Sequence, residues 1–198
     1  MEAAVRTAMS TVSRSPGVCA RCAVLSGSCC TLVPGQEDLC FPLSDVEMDR
    51  IRDIAGARGW FVQEPNSASF VHHLDRLFPG EEEQIRILFP LRRHHFRLAT
   101  GPDGRCALLG ENGCTLPVEA RPYYCRLFPV WLSGEKLFVL AGQCLAVKEA
   151  TGTARLLDSV NLSRPAARDM HARLRLAWGL PPRPEMPNVT LRLQRNPQ

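Results

Sequence analysis

The chain has 198 residues, of which 45% are hydrophobic and 22% charged, enough to bury one sizeable core. No stretch approaches the ~20 consecutive apolar residues that a membrane-spanning helix needs. The net charge of +4 is too small for a dedicated nucleic-acid binder, whose affinity comes from many phosphate contacts, so neither nucleic acid nor membrane is expected as a partner.

Residues 1–16 read as a lead-in of mixed Ala, Ser, Thr, Arg and Val with no apolar signal-peptide core, and the expected compartment is the cytoplasm. In a reducing cytosol, paired cysteine spacings point to metal or redox chemistry rather than to disulfides. The cysteine count of nine is also odd, so a pure disulfide framework would leave one thiol over.

Segment 17–40 carries Cys19-Ala-Arg-Cys22 and the adjacent pair Cys29-Cys30. It also has Gly17, Gly27, Pro34 and Gly35 and no helical period, which predicts loops wrapped on a site. Ser44-Asp45-Val46-Glu47 is a capping box, with Leu43 and Met48 at the staple positions. Val46, Ile51, Ile54 and Ala55 then give an apolar helical face that Gly56 or Gly59 ends. Two shorter helices follow over 67–79 and 81–89, the first facing inward with Phe70, His73, Leu74, Leu77 and Phe78. His72 and His73 read as solvated or hydrogen-bonded, since soft metals have thiolates to choose. The basic run from Arg92 to Arg97 reads as a solvated face.

Phe96 to Leu109 predicts a hairpin turning at Gly101-Pro102-Asp103-Gly104. A second hairpin flanks Ser133-Gly134-Glu135-Lys136 with a type II′ turn, pairing Leu132 with Leu137 and Trp131 with Phe138. Counting outward along that ladder sets Cys125 opposite Cys144. Ser163 caps a last helix to about Trp178, with Met170 and Leu174 inward and Gly179-Leu-Pro-Pro stopping it. The organisation expected is therefore a cysteine-cluster domain over 17–150, a helix packed on it within 151–180, and a Pro-rich tail over 181–198. The class is α+β: a small metal-stapled domain with two β-hairpins, several short helices and long Cys-bearing loops.

The candidate ligands are two blocks of four thiols: Cys19, Cys22, Cys29 and Cys30, then Cys106, Cys114, Cys125 and Cys144. Structural zinc and iron–sulfur clusters each take four thiolates, so the pattern marks metal without choosing between an iron–sulfur cluster and zinc. Adjacent side chains in extended chain diverge, so Cys29 and Cys30 serve either two centres or one centre from a tight turn. Cys40 is the spare, read as a small buried hydrophobe. Arg121 and Arg126 flank Cys125 as candidates to offset thiolate charge, donate to cluster sulfurs or hold an anionic ligand. Salt bridges, to Glu119 for example, are the structural alternative.

At these residues the chain resembles the zinc- or iron-chelating YkgJ-like cysteine-cluster family, whose signature is written CxxCxxxCC. The matching pieces are Cys19-x-x-Cys22…Cys29-Cys30, Cys106-x-Leu108…Gly113-Cys114, Arg121-Pro122-x-x-Cys125-Arg126-x-Phe128-Pro129 and Cys144. The capped Leu43-Ser44-Asp45-Val46-Glu47 segment is similar too, and the resemblance spans about 17–150. It departs in the six residues between Cys22 and Cys29 and in Leu116-Pro117-Val118 after Cys114. The resemblance implies the eight cysteines as shared ligands and leaves zinc or iron open; the clustered thiolates, the flanking arginines and the cytosolic setting put an iron–sulfur cluster, [4Fe–4S] first, ahead of zinc. A longer branch, the flagellin lysine N-methylases, shares the cysteine module and implies iron–sulfur methyl transfer. The functions to weigh are thus metal or cluster chelation, an iron–sulfur enzyme of methyl transfer or redox type, and a zinc-stapled module binding a protein or nucleic acid. No dinucleotide, P-loop or zincin motif suggests another enzyme class.

Overall fold

The structure is a computed structural model and describes residues 17–25, 29–57 and 59–183. The expected lead-in, and the tail from 184 onward, lie outside these residues. The described chain is α+β, with helices and two-stranded antiparallel ladders, and no helix in it is long and apolar enough to cross a membrane.

The first cysteine segment is not all loop. Cys19 and Cys22 sit on a helix, α1 (Val18–Ala23), whose three-residue spacing puts both thiols on one face. Six residues give too little periodicity to announce a helix, which is why the sequence reads as loop there.

Helix α2 (Asp45–Ala55) starts where the capping box sets it: Ser44 accepts from the Glu47 amide, and the Glu47 carboxylate accepts from the Ser44 amide. Its buried face differs from the expected one. Glu47, Met48 and Ile51 are buried, while Ile54 stands exposed. Helices α3 (Ala68–Leu77) and α4 (Glu82–Leu88) form as expected, with Phe70, Leu74, Leu77 and Phe78 inside. His72 is exposed, and His73 meets the edge of Phe41.

The first predicted hairpin is corrected. Strand β2 (His94–Leu98) pairs with β1 (Phe61–Pro65), in the register Phe61 with Leu98 through Pro65 with His94. The turn at 101–104 does form: Gly104 donates to the Gly101 carbonyl (2.9 Å) and Gly101 to that of Arg105 (2.8 Å). Beyond the turn, the chain joins the end of β2 only through single contacts, such as Ala107 to Ala99. A further small ladder joins β3 (Leu109–Gly110) to β4 (Gly113–Cys114).

The second hairpin is as read. Strands β5 (Val130–Ser133) and β6 (Lys136–Val139) pair Leu132 with Leu137 and Trp131 with Phe138. Gly134 has φ of 57°, and Glu135, absent from the positive-φ residues, completes the II′ geometry. The outward count to Cys125 opposite Cys144 is corrected. The ladder does not reach that far, because Cys125 lies on helix α5 (Tyr123–Leu127), which Pro129 cannot extend. Cys144 precedes α6 (Leu145–Glu149) as its N-cap.

Helix α7 (Thr153–Ser159) leads into α8 (Arg164–Trp178), which Ser163 caps by accepting the Ala166 amide and Gly179 ends in a left-handed conformation. Arg175 of α8 is almost wholly buried and grips the Glu81 carboxylate with both guanidinium ends, at 2.7 and 2.6 Å.

The main core gathers Phe70, Leu74, Phe78, Leu127, Trp131, Met170 and Leu174 with Val18 and Leu180. A smaller core of Ile51, Leu108, Leu116 and Ala120 lies under α2.

Candidate metal centre

Between these two cores lies a cavity of about 110 Å³. Cys19, Cys22, Cys29, Cys30, Cys106, Cys114, Cys125 and Cys144 all line it, and Cys40 does not. The rest of the wall is mainly apolar, from Val18 and Ala146 at the larger core to Leu108 and Leu116 at the smaller one.

Each thiol arrives there for a local reason. Cys19 and Cys22 ride on α1, which packs against β4 and α6. The bidentate pair of Arg21 with Glu149, 2.7 Å on each side, ties α1 to α6. Cys29 and Cys30 stand in a turn, and their sulfurs are 4.0 Å apart. The turn therefore brings adjacent side chains to one cavity, where an extended strand would send them apart.

The chain after this pair is laced to the loop at 100–106. Leu32 donates to the Gly104 carbonyl (2.8 Å), and Cys106 donates to the carbonyl of Cys30 (2.8 Å). Gly104 allows the approach. Its φ is +78°, and a Cβ there would stand 2.1 Å from the Leu32 carbonyl oxygen, so only glycine fits.

Cys125 depends on Glu47. One oxygen of this buried carboxylate closes the capping box, accepting from the Ser44 amide and hydroxyl; the other accepts the amide of Tyr123 at 2.7 Å. A single side chain thus caps α2 and fixes the start of α5, one short helix that carries Cys125.

The thiols are held in a poor environment for charge. Burial pushes Cys19 and Cys114 up, Cys106 to about 11, and Cys125 well above its ordinary range. Cys125 keeps accessible surface although protein surrounds it, because that surface is cavity wall. The adjacent pair is split: the hydrogen bond between the two thiols holds Cys30 down to about 7, while that bond and burial push Cys29 up. Arg121 also favours the thiolate at Cys30, Cys19 and Cys114.

The two candidate arginines part company. Arg121 lines the cavity. Its Nε donates to the Leu116 carbonyl (3.0 Å), with a longer contact from Nη2 to that of Cys114 (3.5 Å), so carbonyls rather than Glu119 orient it. Arg126 is not part of the cavity wall. It is half-buried, near Arg50 and Arg173, and burial together with those charges lowers its pKa. Tyr124, absent from the sequence-derived candidates, lines the cavity and stacks on Phe41. Its position on α5 beside Cys125 was the available signal.

Among the described residues, no group of three or more His, Cys, Asp or Glu side chains is drawn together closely enough to be a ready-made metal site. The donor set still suits a soft metal: eight thiols, no competing carboxylate among the described residues of the wall, and a fixed guanidinium beside them.

Comparison of the chain with family models, with curated proteins and with solved structures gives no match.

Proposed function

We propose that this chain is a metal-chelating protein of the YkgJ-like cysteine-cluster kind, holding iron as an iron–sulfur cluster, or zinc, in a cytoplasmic setting. The observation that carries the reading is the sorting of the cysteines: the eight expected ligands line one cavity and the ninth, Cys40, does not. Cysteines used merely as small hydrophobes would be spread through both cores.

Cys19, Cys22, Cys29, Cys30, Cys106, Cys114, Cys125 and Cys144 would hold the metal, and Arg121 would offset part of the thiolate charge. A bound cluster would supply electron storage or Lewis acidity; zinc would supply a structural staple. The chain's own contribution is a largely apolar wall around the thiols and an arginine bonded to two carbonyls.

The test is metal content and visible spectrum after anaerobic purification from iron-replete cells, with Cys40→Ala and Cys125→Ser alongside. Wild type and Cys40→Ala should carry the same stoichiometric load, and Cys125→Ser should lose metal. A cluster absorbs near ~400 nm and zinc leaves the protein colourless.

A further inference from the structure

A single four-coordinate zinc, or a single cluster ligated by four cysteines, uses four thiolates. The cavity wall carries eight. One centre would leave four thiols facing the same void with nothing to bind. Building on the chelation reading, we infer that the cavity holds two centres, and that they divide the cysteines across the two sequence blocks: Cys19, Cys22, Cys29 and Cys144 hold one, and Cys30, Cys106, Cys114 and Cys125 hold the other.

The backbone dictates the exchange. Cys30 and Cys29 are neighbours in sequence, but the chain from Cys30 onward is bonded to the second block. Cys106 donates to the Cys30 carbonyl at 2.8 Å, Thr31 bridges to Arg105, and Leu32 donates to Gly104. Cys30 is thereby fixed beside Cys106. The opposite transfer occurs at Cys144. It caps α6, and α6 packs on α1, the helix that carries Cys19 and Cys22, with Arg21 and Glu149 locking the two together.

The 4.0 Å between the sulfurs of Cys29 and Cys30 then marks where the two sets adjoin. β4, which carries Cys114, lies across α1, so the sets share one cavity rather than occupying separate lobes.

Two double variants separate this division from one that follows the sequence blocks. Cys19→Ser with Cys144→Ser removes two ligands of one set and leaves the other complete. Cys19→Ser with Cys30→Ser damages both sets. Each protein is reconstituted with zinc, or anaerobically with iron and sulfide, and dialysed against EDTA. Metal is then counted by native mass spectrometry on the compact charge states, which keeps loss of a centre distinct from unfolding. Wild type should retain two centres, the 19/144 variant one, and the 19/30 variant none. The reverse order for the two variants would overturn the crossed division, and a wild-type load of one centre would overturn the two-centre count. Wild type that retains neither zinc nor iron would instead sink the chelation reading on which the inference rests.

Discussion

The carboxylate of Glu47 accepts the backbone amide of Tyr123 at 2.7 Å, across 76 residues of sequence. The same side chain closes the capping box at the start of α2. The helix start that the sequence announces most clearly is therefore also the anchor for α5 and Cys125. Glu47→Ala strips partners from the buried amides of Ser44 and Tyr123 and from the Ser44 hydroxyl, each worth about 1 kcal/mol or more when left unsatisfied. The expected loss of stability is about 3 kcal/mol by urea unfolding, with metal loading reduced as α5 loosens. A loss under about 1 kcal/mol would mean that water replaces the carboxylate at no cost.

Gly104 is a second control point. Alanine there must adopt a positive φ and would meet the Leu32 carbonyl at 2.1 Å, so the segment carrying Cys29 and Cys30 has to move off the 100–106 loop. Gly104→Ala should destabilise the protein by more than about 1 kcal/mol and lower its metal content, whereas Gly142→Ala, whose Cβ meets nothing within 4 Å, should change metal content little. Equal metal loading in the two variants would argue against the clamp.

Two histidines, the buried His95 and the half-buried His171, set the acid response. Burial, reinforced by Arg175 and Arg183, lowers His171 to about 3. Burial, reinforced by Arg97, lowers His95 to about 4. His95 offers its Nδ1 to Asn66 Oδ1 at 2.9 Å, and Asn66 donates its amide to Pro90, so the bonded tautomer is neutral with Nδ1–H. Because the folded values lie below the ordinary 6.5, the unfolded chain binds protons first as the pH falls. Stability is thus complete above about 6.5 and is lost towards 4, at up to about 1.4 kcal/mol per pH unit for each histidine. Thermal unfolding followed across this range should show the slope, and His171→Gln should flatten it. A wild-type melting temperature that stays level from pH 6.5 to 4 would contradict this.

The thiols that burial raises, Cys30 being the exception, give the opposite sign at the alkaline end. Cys106 is raised to about 11 from an ordinary 9.0, so unfolded thiols ionise first as the pH climbs. The metal-free protein should be most stable below about pH 9 and weaken from there towards 11. Metal requires thiolates and releases their protons, so metal binding tightens over the same rise. Chelator-treated and loaded samples, unfolded in parallel at pH 7 and 10, should diverge: the first falls in stability and the second does not. Parallel loss in both would count against thiolate ligation.

Legibility in the sequence followed element length and local chemistry. The capped helices α2 and α8 and the II′ hairpin at Gly134 carry their own start and stop signals, so their positions could be read directly. Helix α1, with six residues, and α5, with five, are shorter than two turns and show no periodicity. The partner of β2 was missed because β1 ends in Pro65 and is only partly buried, without the alternation that marks a strand. Continuing the β5–β6 ladder to Cys125 failed for the same reason, since a short helix replaces the expected strand after Pro122. Arg121 and Arg126 are alike as residues flanking Cys125 in sequence; only the fold shows that carbonyls pin Arg121 on the cavity wall while Arg126 lies off it. The eight cysteines were legible from their spacing as candidate ligands. Their convergence on one cavity depends on tertiary links, above all Cys106 to Cys30 and Arg21 to Glu149, that leave no periodic trace.

The most direct measurement is the metal content of the wild-type protein, purified without oxygen from iron-replete cells and compared with total protein. The expected result is iron with sulfide, or zinc, in stoichiometric amount and lost when thiols are alkylated under denaturing conditions. Protein that is folded, carries free thiols at all eight positions and contains neither metal would contradict the central claim.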